Sequence, residues 1–241
     1  MLNERYFQRI RAILNILLLE CTTRKIEFAY YKNGKFIILN VLETEKNADS
    51  LLYVMREEFR RYSFGFDEID IVGLSNGPGS FTGLRIGSAV AKGICFAGKS
   101  RLIEIVTLDI IGGKCKHAKN FTEKNSSRGE EFTALIFSNS RTGEFYSSRY
   151  KKDGSGITRV SDYKLIKTED LISYDIKCVI NEKIDFRFPE NLTVIDVSGE
   201  SGMVPFLELV KERVVKEEFD DYRTSEPFYM KTFVPLKTIK C

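Results

Sequence analysis

The spacing of apolar residues changes repeatedly along this chain, and each change marks an element. Ile13 to Leu19 is almost continuously apolar, the pattern of a strand buried on both faces. Lys25 to Tyr31 alternates, Asn33-Gly34 supplies the two positive-φ residues of a type I′ turn, and Phe36 to Leu42 forms the mate, so three strands open the chain. From Asn47 to Tyr62 the period lengthens. Leu52, Met55, Phe59 and Tyr62, widened by Leu51, share one helical face, with Arg56, Glu57 and Arg60 opposite. Ile69 to Leu74 predicts a strand, Ser75 to Ser80 a glycine-rich turn, Phe81 to Ala97 a helix and Leu102 to Val106 a further strand. Thr107 then caps a helix weakened by Gly112-Gly113.

Residues 114 to 130 are polar and read as a connector. Beyond it the order begins again. Strands are expected at Phe132 to Ser138, Glu144 to Tyr150 and Ile157 to Ile166, then a short helix near Thr168, strands at Lys177 to Ile180 and Leu192 to Val197, and a helix from Met203 to Phe219. A strand-strand-strand-helix-strand-helix order met twice is an internal structural repeat. It predicts two stacked α/β lobes, each βββαβα, as in the actin-like, sugar-kinase and heat-shock ATPase architecture. The expected bounds are 13–113 for the first lobe, 131–222 for a reduced second lobe, and 223–241 for a segment returning to the first lobe. Residues 1–12 form an extension in which a short helix is one option.

The glycine turn carries the chemistry to be weighed. A turn that leaves a strand and enters a helix offers free N–H groups at a positive dipole end, so Gly77, Gly79, Ser80 and Thr82, with Glu20 nearby, are candidate phosphate-binding residues. The same residues also suit plain chain reversal. No Gly-Lys-Ser/Thr follows, and Gly77-x-Gly79-x-x-x-Gly83 is one residue longer than the dinucleotide fingerprint, although Glu104 stands at a fitting distance. Gly83, Gly87, Ala91 and Cys95 recur every four residues as a smooth stripe open to close backbone approach. Ile86, Val90, Ile94 and Ala97 supply a separate apolar face for the core. The stripe therefore either packs within its lobe or meets a partner, and the expected partner interface is Leu51, Met55, Gly83, Arg85, Gly87 and Ala91. On that assignment, Gly87→Leu abolishes pairing and leaves the monomer folded.

Composition narrows the chemistry. The chain has 241 residues, 43% hydrophobic and 29% charged, which suits a globular protein of one or two domains. A net charge of +3 is too small to drive nucleic-acid binding by bulk field. Five scattered cysteines neither frame disulfides nor cage zinc, and a single histidine, His117, leaves no His-built metal site or Ser-His-Asp triad. The run ending at Leu19 is short, broken by Asn15 and followed by Glu20, so it is neither a leader nor a membrane span.

Gly77-Pro78-Gly79-Ser80-Phe81-Thr82-Gly83-Leu84-Arg85-Ile86-Gly87 resembles the signature of the bacterial tRNA threonylcarbamoyladenosine biosynthesis family TsaB. Asn139 to Tyr146 is similar to that family's Asp-x-Arg-x-Gly-Glu-Val-Tyr hairpin, and Pro227 to Lys231 to its closing Pro-x-Tyr-x-Arg. The resemblance implies an actin-like, glycoprotease-like relative of TsaD. It implies a non-catalytic subunit that pairs with TsaD, together with TsaE, for threonylcarbamoyl transfer to the tRNA adenosine beside the anticodon. It further implies a homodimer when TsaD is absent, tRNA met only through the complex, no cofactor or metal of its own with room for ATP at the complex interface, and a cytoplasmic location away from membranes. Departures from the family pattern are Glu20-Cys21-Thr22 for Asp-Thr-Ser or Asp-Thr-Ala, Asn47 for His, Asn139 for Asp and Lys231 for Arg. The competing expectation is a nucleotide-dependent small-molecule kinase or ATPase on the same fold, with Glu20 orienting a cation and the turn holding phosphate.

Overall fold

The first apolar run becomes β1 (Ile16–Glu20), buried at every residue and central to a five-stranded sheet. In this computed structural model, which describes residues 14–23, 25–43, 50–116, 130–139, 143–154, 156–171, 177–180, 186–190 and 192–230, β1 pairs antiparallel with β2 (Lys25–Lys32) and parallel with β4 (Ile71–Ser75). β2 pairs antiparallel with β3 (Lys35–Glu43), and β4 parallel with β5 (Arg101–Ile105), giving the order β3-β2-β1-β4-β5. Asn33 and Gly34 turn the first hairpin with φ of 52° and 82°, which a two-residue type I′ connection requires.

The second sheet repeats this plan. β6 (Glu130–Asn139) pairs antiparallel with β7 (Glu144–Asp153) and parallel with β10 (Lys177–Ile180), which pairs parallel with β11 (Val194–Asp196). β8 (Gly156–Arg159) and β9 (Lys164–Lys167) both pair with β7, so the single strand expected over 157–166 is two short ones. The interruption has a cause: the Ser161 hydroxyl accepts from the Arg149 N–H at 2.9 Å, and Tyr163 leaves the sheet to meet another element. Read from β8 inward, the order along the path is that of the first sheet, so the molecule is an α/β protein of two lobes.

Helices α1 (Leu51–Arg61) and α2 (Phe81–Ala97) cover one face of the first sheet, where Leu51, Met55, Phe59, Ala91 and Cys95 pack on Leu17, Leu19, Tyr30 and Val72. Helix α3 (Thr107–Lys114) starts one residue earlier than a Thr107 cap implies. Its N-cap is Val106, and the Thr107 hydroxyl pairs instead with that of Ser75 at 2.9 Å. A short α4 (Thr168–Leu171) follows β9, and α5 (Met203–Val215) closes the described helices.

The helices after the last strand of each sheet are exchanged. Leu108, Ile111 and Cys115, on and just beyond α3, pack on Phe132, Ala134, Tyr150 and Val179 of the second sheet. Met203, Phe206, Leu207, Val210 and Val214 of α5 pack on Ile16, Leu18, Ile71 and Ile103 of the first. The span 131–222 expected for the second lobe thus includes a helix that lies on the first sheet. The two helices meet where Gly113 faces Pro205, and a Cβ on Gly113 would stand 2.6 Å from the Pro205 Cβ. The extension 1–12, Asn47, His117 and the connector 117–129, the turn at Arg141-Thr142, and Lys231 lie outside the described residues.

Candidate functional site

The glycine turn joins β4 to α2, and its own chain has closed around it. The Ser80 N–H donates to the Thr22 carbonyl at 2.7 Å, and the Gly83 N–H donates to the Ser80 hydroxyl at 3.2 Å as the N-cap of α2. Gly77 has φ of 108° and offers its carbonyl to the Thr107 N–H at 2.8 Å. A Cβ on Gly79 would collide with Thr22, so glycine is needed here for close approach of the turn between β1 and β2. Glu20 is buried, and its Oε1 accepts from both the Thr22 N–H, at 2.5 Å, and the Thr22 hydroxyl, at 2.6 Å.

Two donors that could meet a phosphate are already used. The Ser80 and Gly83 N–H groups are engaged within the chain, and the carboxylate of buried Glu20 lies on Thr22, which packs against Gly79. Gly77, Gly79, Ser80 and Glu20 are therefore brought together, but as a self-satisfied turn. Thr82 is exposed on the first turn of α2.

The stripe on α2 takes the first of its two readings and packs within its own lobe. Gly83, Gly87 and Ala91 face inward: a Cβ on Gly83 would land on the Cys21 carbonyl oxygen, and one on Gly87 would stand 3.1 Å from the Cys21 Cβ and 3.2 Å from Leu74. Leu51 and Met55 are likewise buried in the first lobe. Five of the six residues expected at a partner interface are thus inside their own lobe, because the missing side chains let α2 settle on the end of β1. Arg85 alone is exposed, with its guanidinium 3.9 Å over the Phe81 ring.

Of the face assigned to the core, Ile94 is buried and Ile86 and Val90 pack against the core, while Ala97 is exposed. Ala89, Val90, Gly93 and Ala97 of α2 line an open apolar groove of about 800 Å³ whose other wall is Leu52, Tyr53 and Arg56 of α1. Leu52 and Tyr53 are 51% and 59% exposed, and Phe96 at the end of α2 is 79% exposed. Arg56 and Asp67 put one charge of each sign on the rim. The signal for this groove was available: a stripe of Gly and Ala is what a helix presents to a closely packed sheet, which leaves its other side to a partner or to solvent.

Reactive groups are sparse. Burial pushes the Cys21 thiol far up, helped by the Glu20 charge, and pushes the Cys95 thiol up to about 11, so neither is a nucleophile at neutral pH. Among the described residues no group of three His, Cys, Asp or Glu could hold a metal, and no helix is long and apolar enough to cross a membrane. Glu104, the dinucleotide candidate, accepts instead from the Ser225 hydroxyl beside a cavity of about 520 Å³ that Asn76, Glu226 and Phe228 also line. Burial raises the Glu104 carboxyl, opposed by the Ser225 hydrogen bond. A raised folded pKa means that ionisation opposes folding, starting as pH climbs past the ordinary value of 4.5 and complete above the folded value. Glu104→Gln keeps an acceptor for Ser225 and is expected to gain stability over that window and none below it, as denaturant melts at a series of pH values would report.

Residues 44–219, more than half of the chain, match the family described as TsaD, tRNA N6-adenosine threonylcarbamoyltransferase. The chain belongs to the TsaD family. Within it, similarity runs to the TsaB proteins. The chain is 25% identical over 191 residues to the tRNA threonylcarbamoyladenosine biosynthesis protein TsaB of Buchnera aphidicola, covering 79% of this chain and 77% of that one. It is 24% identical over 198 residues to TsaB of Escherichia coli K12, covering 79% and 78%. The solved structure of YeaZ from Pseudomonas aeruginosa superposes on 90% of this chain and 100% of its own with a TM-score of 0.71 at 19% identity, a likeness of fold. In this TsaD-family chain the glycine signature is a packing device before it is anything else.

Proposed function

We propose that the chain acts in tRNA threonylcarbamoyladenosine biosynthesis as a non-catalytic subunit that docks a TsaD catalytic subunit through the groove between α1 and α2, with TsaE completing the assembly. The open apolar groove carries this reading. Contiguous apolar surface edged by charge is what an interface offers, and Tyr53 has the size and amphipathic character of a binding anchor. The rest of the body supports a scaffold: its turn donors are engaged, its Cys21 and Cys95 thiols are inert, and Glu104 is tied to Ser225. Catalysis and tRNA contact then belong to the complex, any ATP to the complex interface, and the setting is the cytoplasm.

The same groove suits self-pairing when TsaD is absent. In a two-fold pair, Arg56 of each copy can face Asp67 of the other, which makes the rim self-complementary. The test is reconstitution. The pure chain is mixed with TsaD and TsaE, and complex formation by gel filtration and threonylcarbamoyl transfer to tRNA are measured with and without it. Transfer is expected to depend on the chain. Equal transfer in its absence, or tight ATP binding by the chain alone, overturns the reading in favour of a small-molecule kinase or ATPase.

A further inference from the structure

After α5 the chain turns back along the first lobe and ends its described course on the glycine turn. The Asp220 N–H donates to the Leu102 carbonyl at 2.9 Å, and the Asp220 carboxylate accepts from the Glu104 N–H at 2.7 Å. Further on, the Phe228 N–H donates to the Asn76 carbonyl at 2.8 Å, and the Asn76 side-chain amide donates back to the Glu226 carbonyl at 3.2 Å. The Phe228 carbonyl closes over Gly77, where a Cβ would stand 3.0 Å from it, and Tyr229 lies against Phe81, ring centres 5.5 Å apart. Residues 226–229 therefore lie over the turn at its start and at the head of α2.

The side of this segment away from the turn touches the second lobe. The Phe228 ring meets the Tyr163 ring edge-on, centres 5.7 Å apart. The Tyr163 hydroxyl donates to Asp109 Oδ2 at 2.6 Å, and the Tyr150 hydroxyl donates to Asp109 Oδ1 at 2.7 Å. Arg159 covers the Tyr163 ring at 4.3 Å and places its Nε 3.8 Å from the same carboxylate. Asp109 lies on α3, the helix that crosses to the second sheet, so both carboxylate oxygens are held by second-lobe phenols.

We propose that residues 226–229 form a latch, with Phe228 as its bolt, through which the second lobe holds the glycine turn and the head of α2 in place. Asp109 fixes Tyr163, Tyr163 backs Phe228, and Phe228 clamps Asn76 and Gly77. This step goes beyond the docking reading and stands without a partner.

The test uses amide hydrogen exchange on the full chain. Phe228→Ala is expected to speed exchange at Asn76, Gly77, Gly79 and Ser80 by about tenfold, with the amides of β1 unchanged. Tyr163→Phe removes a single oxygen, keeps both rings in place, and is expected to speed the same amides by about threefold. Turn amides at the unmodified rate in the Tyr163 variant overturn the link to the second lobe. A rise shared equally by β1 and β6 in either variant overturns the latch, since it reports general loosening.

Discussion

Alanine at Gly83 is expected to lower folding stability by about 3 kcal/mol, the upper range for forcing an atom into a packed site. The added methyl would occupy the place of the Cys21 carbonyl oxygen, and neither side can yield easily. Cys21 directly follows β1, every residue of which is buried, while Gly83 belongs to the first turn of a 17-residue helix. The matched control is ten residues further along the same helix. Gly93 has nothing within 4 Å of a Cβ, so Gly93→Ala is expected to gain about 0.5–1 kcal/mol from helix propensity alone. Urea melts of both variants with unchanged slopes check the pair. Gly87→Leu, expected from the sequence to spare the monomer, belongs with Gly83: its side chain would press on Cys21 and Leu74, and loss of fold precedes any loss of pairing.

The second large effect concerns binding. Leu52 is half exposed on the wall of the groove, so Leu52→Asp creates no cavity and is expected to leave the melting curve within about 0.5 kcal/mol of the unmodified chain. In a docked complex the same carboxylate would be stripped of water against an apolar partner, a cost that Arg56, one turn along α1, offsets only in part. Pairing with TsaD is expected to weaken by at least about 100-fold, as titration calorimetry or gel filtration would record. Unaltered affinity in this variant removes the groove from the docking reading, whereas a loss of affinity accompanied by a lowered melting curve points to damage of the fold.

The fold was largely legible because its signals are local. Ser80 before the helix and Gly98 after it bracket α2 at the residues observed, and Asn33-Gly34 fixes the first hairpin. The site was less legible, for a reason rooted in packing. Periodicity reveals that α2 has two apolar faces and not which one the sheet takes. That choice depended on how close Cys21 comes, a contact 62 residues away in sequence for Gly83. Tyr150 and Tyr163 both looked like ordinary strand residues, because their common partner Asp109 stands on the far side of a polar connector. The Glu20-Cys21-Thr22 departure was visible, and its meaning was not. Glu20 turns its carboxylate onto its own Thr22 and becomes part of the closure.

The crossing of α3 and α5 makes each half of the chain depend on the other for cover, since each sheet receives a helix drawn from the opposite half. A polypeptide severed between α3 and β6 should behave as two fragments, each with an apolar sheet face laid bare, that recover their structure only when mixed.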